Sequence, residues 1–265
     1  MTEPILVEKK DRIATVTLYR ADRLNRLTRQ MADCLAETCG VIEDDPDVGV
    51  MILTGAGPVF SLGLDARSVS PEEWRELIET PAESVRHRHW VLYGVEAVAS
   101  LSKPVIAALN GDALGAGLEL ALACDIRVSR DDARFGFPQV RDGMMPMSGG
   151  TQRLPRIIGL AKALELIMTG EPIDADEARR IGLVSRVVVP NELLKVAEEL
   201  ALSILKGAPL AVRYGKEAVR QGIDLPFADG ARLEADLSLL LQTTADRAEG
   251  IRSFHERRNP DFQGR

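Results

Sequence analysis

Apolar positions in this chain fall into two patterns. The first is the short unbroken run. Val48-Gly49-Val50-Met51-Ile52-Leu53-Thr54 stops at Gly55, Pro104-Val105-Ile106-Ala107-Ala108-Leu109 stops at Asn110-Gly111, and Asp125–Ser129 is a shorter case. Runs of this kind suit strands covered on both faces. The second pattern is helical spacing. Thr28 is placed to cap a helix running to about Glu43, with Met31, Leu35, Thr38 and Ile42 on one face. Arg12–Leu18 alternates and is rich in β-branched residues, so it predicts a strand, paired with Ile5–Glu8 across Lys9-Lys10-Asp11. Strands alternating with helices indicate parallel units and an α/β fold.

Beyond Gly149 the pattern is helical almost throughout, Arg186–Val189 excepted. Asn191–Leu205, Pro209–Gln221, Phe227–Gln242 and Ala245–Arg257 read as successive amphipathic helices. The organisation is an α/β core, residues 1–190, followed by a helical region, 191–265, too thin to be a separate domain. Its Leu and Ala content suits burial against other subunits. Pro71–Ser100 is polar and helical in pattern, with a mobile tip at Pro81–Ser84. Its Trp74, Trp90 and Tyr93 could line a pocket or pack a helix, and packing is the preferred reading.

Composition narrows the function classes. The 265 residues carry a net charge of −7, which argues against broad binding to nucleic acid or anionic membranes. An anionic ligand would have to be met locally, by Arg, Lys or a helix N-terminus. Aromatic residues are only 4%, so the core must be built from aliphatic side chains. Cys34, Cys39 and Cys124 are odd in number and form no C-x-x-C, so neither a disulfide framework nor a zinc site is indicated. Cys124, in an apolar helical run, reads as a core residue. The first ten residues lack the apolar stretch of a signal peptide. The most apolar segment, Pro104–Cys124, is interrupted by Asn110, Asp112 and Glu119 and does not suit a membrane span. A cytoplasmic protein is the expectation.

The chemistry concentrates where two apolar strands end. Phe60-Ser61-Leu62-Gly63-Leu64-Asp65 follows the first, and Asn110–Glu119, containing Gly115-Ala116-Gly117, follows the second. Glycines after strands are ordinarily turn residues. Two such turns on adjacent strands, one opening a helix, instead suggest a site. Backbone N–H groups from the two turns, that of Leu64 among them, could receive a thioester oxygen as it becomes an enolate. Glu119 sits just inside that helix in apolar surroundings, where a raised pKa would suit proton transfer. Complementing the helix dipole is the plainer role of such a residue, but the apolar surroundings tilt the reading toward a proton carrier. His87 and His89 do not face one another on a helix and read as surface residues, and His255 has no triad context. No phosphate-binding loop or dinucleotide fingerprint is present.

Taken in order, Phe60–Asp65, Lys103–Asp125, Phe135–Gly143, Gly149–Leu154, Thr169-Gly170, Ala178–Ser185 and Phe254–Phe262 resemble the crotonase superfamily, the enoyl-CoA hydratases and isomerases. The resemblance spans nearly the whole chain. It implies a ββα-spiral core with a C-terminal helical trimerisation region, assembled as a homotrimer or hexamer. It implies an acyl-CoA thioester substrate and no separate cofactor. Leu64 and Ala116 would form the oxyanion hole, with Leu62, Asp65, Ala66, Arg67 and Gly115 along the substrate. Arg26 falls where the family more often has Ala, near the adenine end. Glu119 matches the first of two hydratase glutamates. The second falls at Gln139, which cannot exchange a proton at neutral pH. Met147 falls where hydratases often have Gly beside the water. Hydration of a 2-enoyl-CoA is the leading expectation. Isomerisation or another one-base enolate reaction through Glu119, and a catalytically weak acyl-CoA-binding protein, stay open beside it. A serine protease of the same fold is excluded, because Asp112–Gly117 contains no Ser.

Overall fold

The computed structural model describes residues 3–72, 75 and 90–265. β1 (Ile5–Lys10) and β2 (Ile13–Leu18) form an antiparallel hairpin. Its turn is Asp11-Arg12, both left-handed at φ 51° and 63°. β1 therefore runs on through Lys10 instead of ending at Glu8. A two-residue turn of this hand matches strand twist, but without Asn-Gly it leaves no signal in the sequence.

α1 (Arg29–Asp44) is capped by Thr28, whose Oγ1 accepts from the Met31 N–H at 3.2 Å. Its buried stripe is Met31, Ala32, Leu35, Cys39 and Ile42. Cys39 takes the core position expected of Thr38, because the 3.6-residue period drifts across the helix. β3 (Val50–Gly55), α2 (Trp90–Ser100), β4 (Val105–Leu109), β5 (Ala113–Leu114), α3 (Ala116–Ala123), β6 (Ile126–Arg130) and β7 (Arg134–Gly136) follow. Then come α4 (Gly150–Ile158), α5 (Leu160–Thr169), β8 (Ile173–Asp174), α6 (Ala175–Arg180) and β9 (Arg186–Val188). The C-terminal helices are α7 (Leu193–Ile204), α8 (Pro209–Gly222), α9 (Phe227–Gln242) and α10 (Ala245–Glu256).

The main sheet has the order β1-β2-β3-β4-β6-β9 and is parallel from β2 onward. Every residue of β4 is buried, as its unbroken apolar run requires. Successive side chains go to opposite faces. Met51, Leu53, Val105 and Ala107 join the large core with α1, α2 and α3, whereas Val50, Ile52, Ile106 and Ala108 meet Leu193, Ala197 and Ala201 of α7. A second sheet, β5-β7-β8, is built from pieces of two or three residues.

α8 is tied to the core by charge. Asp125 accepts from Lys216 and Arg220, each at 2.8 Å, and from the Val105 N–H at 2.7 Å. Apolar side chains nevertheless stay exposed on the C-terminal helices, among them Val219, Ile223, Phe227, Leu239 and Phe254. The expected tip at Pro81–Ser84, with Trp74, His87 and His89, lies outside the described residues. Tyr93 is exposed, not packed, on this chain.

Lys103 is fully buried, with Nζ donating to Ile42 O at 2.6 Å and Asp45 O at 2.5 Å. It satisfies carbonyls left unpaired where α1 ends. Lys103→Met should keep the packing but strip both acceptors, costing about 2–3 kcal/mol. A lower urea midpoint at unchanged slope is the expected readout, and an unchanged midpoint would count against this role.

Candidate active site

The loop after β3 is fixed by two asparagines. Asn110 accepts from the Gly55 N–H at 2.9 Å and donates to Gly57 O and Val59 O. Asn25, fully buried and left-handed at φ 48°, donates to Ala56 O and Val59 O. Its own carbonyl receives Ser61 Oγ at 2.8 Å. Asn tolerates that backbone region because its side chain bonds locally.

This loop then packs against the start of α3. Ser61 O accepts from the Leu114 N–H at 3.0 Å. A Cβ placed on Gly117 would lie 2.2 Å from the same Ser61 O, so only glycine lets the two backbones approach. A Cβ on Gly63, at φ 85°, would lie 3.1 Å from the Ala116 nitrogen. Gly115, which caps α3 at φ 53° and ψ −127°, adopts a conformation that side chains resist. Leu27 N donates to Gly63 O and Asp65 N to Leu27 O, a parallel bridge that turns the intervening Leu64 N–H away from Leu27. Among the described residues, neither the Leu64 N–H nor the Ala116 N–H, the latter in the first turn of α3, meets an acceptor. The two free donors are neighbours because Gly63 lies against Ala116.

Glu119 is 3% exposed. Its Oε1 accepts from the Ser148 N–H at 2.6 Å and the Gly150 N–H at 2.9 Å. Gly150 is required here too, since a Cβ on it would lie 2.9 Å from Glu119 Oε1. Burial pushes the Glu119 carboxyl above the usual carboxylate range, and the N–H groups of Gly150, Ser148 and Met147 pull it back in part. The result is a carboxylate held in place and made more basic, in an apolar wall.

A cavity of about 250 Å³ gathers these groups. Leu62, Leu64, Gly115, Ala116 and Glu119 line it. Arg26, Ala66, Gln139 and Met147 line it as well. Gln139 comes from a turn of 3₁₀ helix, Pro138–Asp142, and a Cβ on Gly115 would lie 3.4 Å from its Oε1. Asp65 pairs with Arg20 at 3.2 Å and lies outside this lining, and the exposed Arg67 does so too. His255 is exposed against Phe254. Among the described residues no cluster of His, Cys, Asp or Glu could hold a metal, and no helix is long and apolar enough to cross a membrane.

A sequence profile described as enoyl-CoA hydratase/isomerase matches residues 8–265. The chain belongs to that family. The crotonyl-CoA hydratase of Syntrophomonas wolfei is 38% identical over 264 residues, 98% of each chain. The short-chain-enoyl-CoA hydratase of Clostridium acetobutylicum is 38% identical over 258 residues, 96% of this chain and 95% of that one. In structure, the enoyl-CoA hydratase of Bacillus anthracis superposes with a TM-score of 0.90 at 37% identity, covering 99% of this chain and all of the other. The fold is thus the crotonase fold.

Within that family frame, two residues differ from their sequence-based reading. Arg26 turns its guanidinium toward the loop, Nη1 lying 3.1 Å from Leu62 O and 3.3 Å from Leu64 O. Ser148 was invisible in the sequence as a site residue, yet it lines the cavity, is 1% exposed and holds Glu119. The one signal was its place two residues before Gly150, at the opening of α4.

The raised pKa of Glu119 has a stability consequence. A carboxyl that binds its proton more tightly folded than unfolded costs stability once ionised. The cost is absent below the ordinary value of 4.5, grows as pH rises toward the raised value, and is constant above it. Glu119→Gln keeps an acceptor for the same N–H groups. It should match wild type near pH 4, below the ordinary value of 4.5, and exceed it in Tm by a margin that grows as pH rises through the raised value. A Tm difference that does not grow with pH would contradict the assignment.

Proposed function

We propose that the chain is an enoyl-CoA hydratase, adding water reversibly to a 2-enoyl-CoA. The observation that carries this reading is the pair of free N–H groups, Leu64 and Ala116, beside a buried carboxylate. The thioester oxygen takes its place between the two donors, which stabilise it most when it becomes an enolate. Water attacks C3 while Glu119 accepts one of its protons. The C2–C3 π pair moves toward the thioester oxygen. Glu119 then returns the proton to C2, so that H and OH have been added and the enzyme is regenerated. CoA is part of the substrate, and no cofactor enters a step.

The surroundings support where the rest of the substrate goes. Ala66 in the lining and the exposed Arg67 continue from Leu64 toward solvent, a path for the CoA moiety. Arg26 lines the cavity too, and its hydrogen bonds go to the loop. Gln139 favours a second reading. With one carboxylate at the reacting carbons, Glu119 could remove and return a proton without water, which is double-bond isomerisation. A binding protein with little turnover is the third.

The exposed apolar residues of α8, α9 and α10 suit burial against further copies, so we propose a cytoplasmic homotrimer or hexamer with 191–265 at the contact. Sedimentation should give three or six times the 28.9 kDa of one chain, and a monomer would refute the contact.

The reaction is read by mass spectrometry on 2-enoyl- and 3-enoyl-CoA thioesters in heavy water. Gain of one water, lost in Glu119→Ala, is expected. A shifted double bond or deuterium uptake without added water would replace hydration by isomerisation. Bound thioesters left unchanged would favour the binding protein.

A further inference from the structure

Among the described residues, the buried side-chain nitrogen and oxygen atoms without a hydrogen-bond partner are Gln139 Oε1 and Ser148 Oγ. Both residues line the Glu119 cavity. Buried polar groups are nearly always paired, so two orphans in one cavity point to something that pairs them when the site works. Ser148 is held rigidly around its free hydroxyl. Its N–H donates to Glu119 Oε1 at 2.6 Å, and its carbonyl accepts from Arg153 Nη1 at 2.8 Å. Arg153 is itself anchored by Glu96 at 2.8 Å. The backbone is committed on both sides, and only the side chain is left to act.

We infer that Ser148 is a water-positioning residue, which together with the Gln139 amide holds the attacking water against Glu119. The inference rests on the hydratase reading above.

Water has two O–H bonds and two lone pairs, and this cavity offers a partner for each. One O–H goes to Gln139 Oε1, which can accept but cannot take the proton. The other goes to the Glu119 carboxylate, which does take it. The Ser148 hydroxyl donates to one lone pair. The remaining lone pair is directed at C3. The proton that Glu119 removes is the one it returns to C2, so the balance closes with a single carboxylate. In this arrangement an amide and a hydroxyl orient the water, and the proton bookkeeping falls to Glu119 alone.

Ser148→Ala removes one hydrogen bond to water and nothing else in the backbone frame. The test uses the full-length protein and two measurements. One is hydration of a 2-enoyl-CoA that wild type accepts. The other is deuterium uptake at C2 of the saturated acyl-CoA of equal length, which needs Glu119 and the N–H pair but no attacking water. We expect kcat for hydration to fall about tenfold, one hydrogen bond's worth, with KM and deuterium uptake unchanged. Unchanged hydration overturns the proposal and leaves the hydratase reading standing. A parallel fall in hydration and uptake also overturns it, because Ser148 would then act only by holding Glu119. A wild type that hydrates no thioester removes the hydratase reading itself, and the proposal with it.

Discussion

The close approach of the loop after β3 to the first turn of α3 is the constraint on which the rest of this molecule depends. Hydrogen bonds alone do not set it. Ser61 O sits where a side chain on Gly117 would have to be, and Gly63 lies where any Cβ would press on the Ala116 nitrogen. Both loops end strands that are neighbours in the sheet, β3 and β4, so the sheet delivers them to the same edge. Asn25 and Asn110 then hold the first loop by its carbonyls, where a loop without side-chain anchors would be free to move. The consequence is a pair of N–H groups aimed together before any ligand arrives. Such preorganisation is what makes electrostatic stabilisation effective, because no donor has to turn during the reaction.

A second constraint links this edge to the start of α4. Glu119 belongs to α3, but the N–H groups that meet its Oε1 come from Ser148 and Gly150. Burying a carboxylate is costly unless it is hydrogen-bonded, and these donors offset part of that cost. The main sheet, α3 and the opening of α4 are thus coupled through one oxygen atom. Arg153 extends the coupling by holding the carbonyl of Ser148 from the next turn of α4.

Much of this was legible in the sequence. The runs at β3 and β4 became strands buried on both faces, Thr28 became a cap, and the glycines of the two turns came to lie against one another. What escaped the sequence escaped for physical reasons. The Asp11-Arg12 turn lacks the glycine of an Asn-Gly or Asp-Gly pair, and Arg12 has no left-handed preference, so nothing moved the strand end to Lys10. The second sheet is made of pieces too short for any periodicity to register. Cys39 displaced Thr38 because the helical stripe drifts with each turn. Ser148 was missed because its role is a contact with Glu119 across the fold, and small polar residues before a Gly-Gly pair ordinarily mean a helix start.

The amide at Gln139 fits the electrostatics of this cavity. A second carboxylate there would place like charge beside a carboxyl already raised by burial, and it would raise it further. The pair would then lose its two protons in separate steps, the second at higher pH than the first, as coupled acids do. With Gln139 no like charge stands at that position, and the Glu119 carboxylate is met by the N–H groups of Gly150, Ser148 and Met147. Glu119 is then less strongly perturbed than in a two-carboxylate site and ionises at lower pH. Chemistry that needs a separate acid and base is lost by that exchange. Chemistry in which one group takes a proton and gives the same proton back is kept.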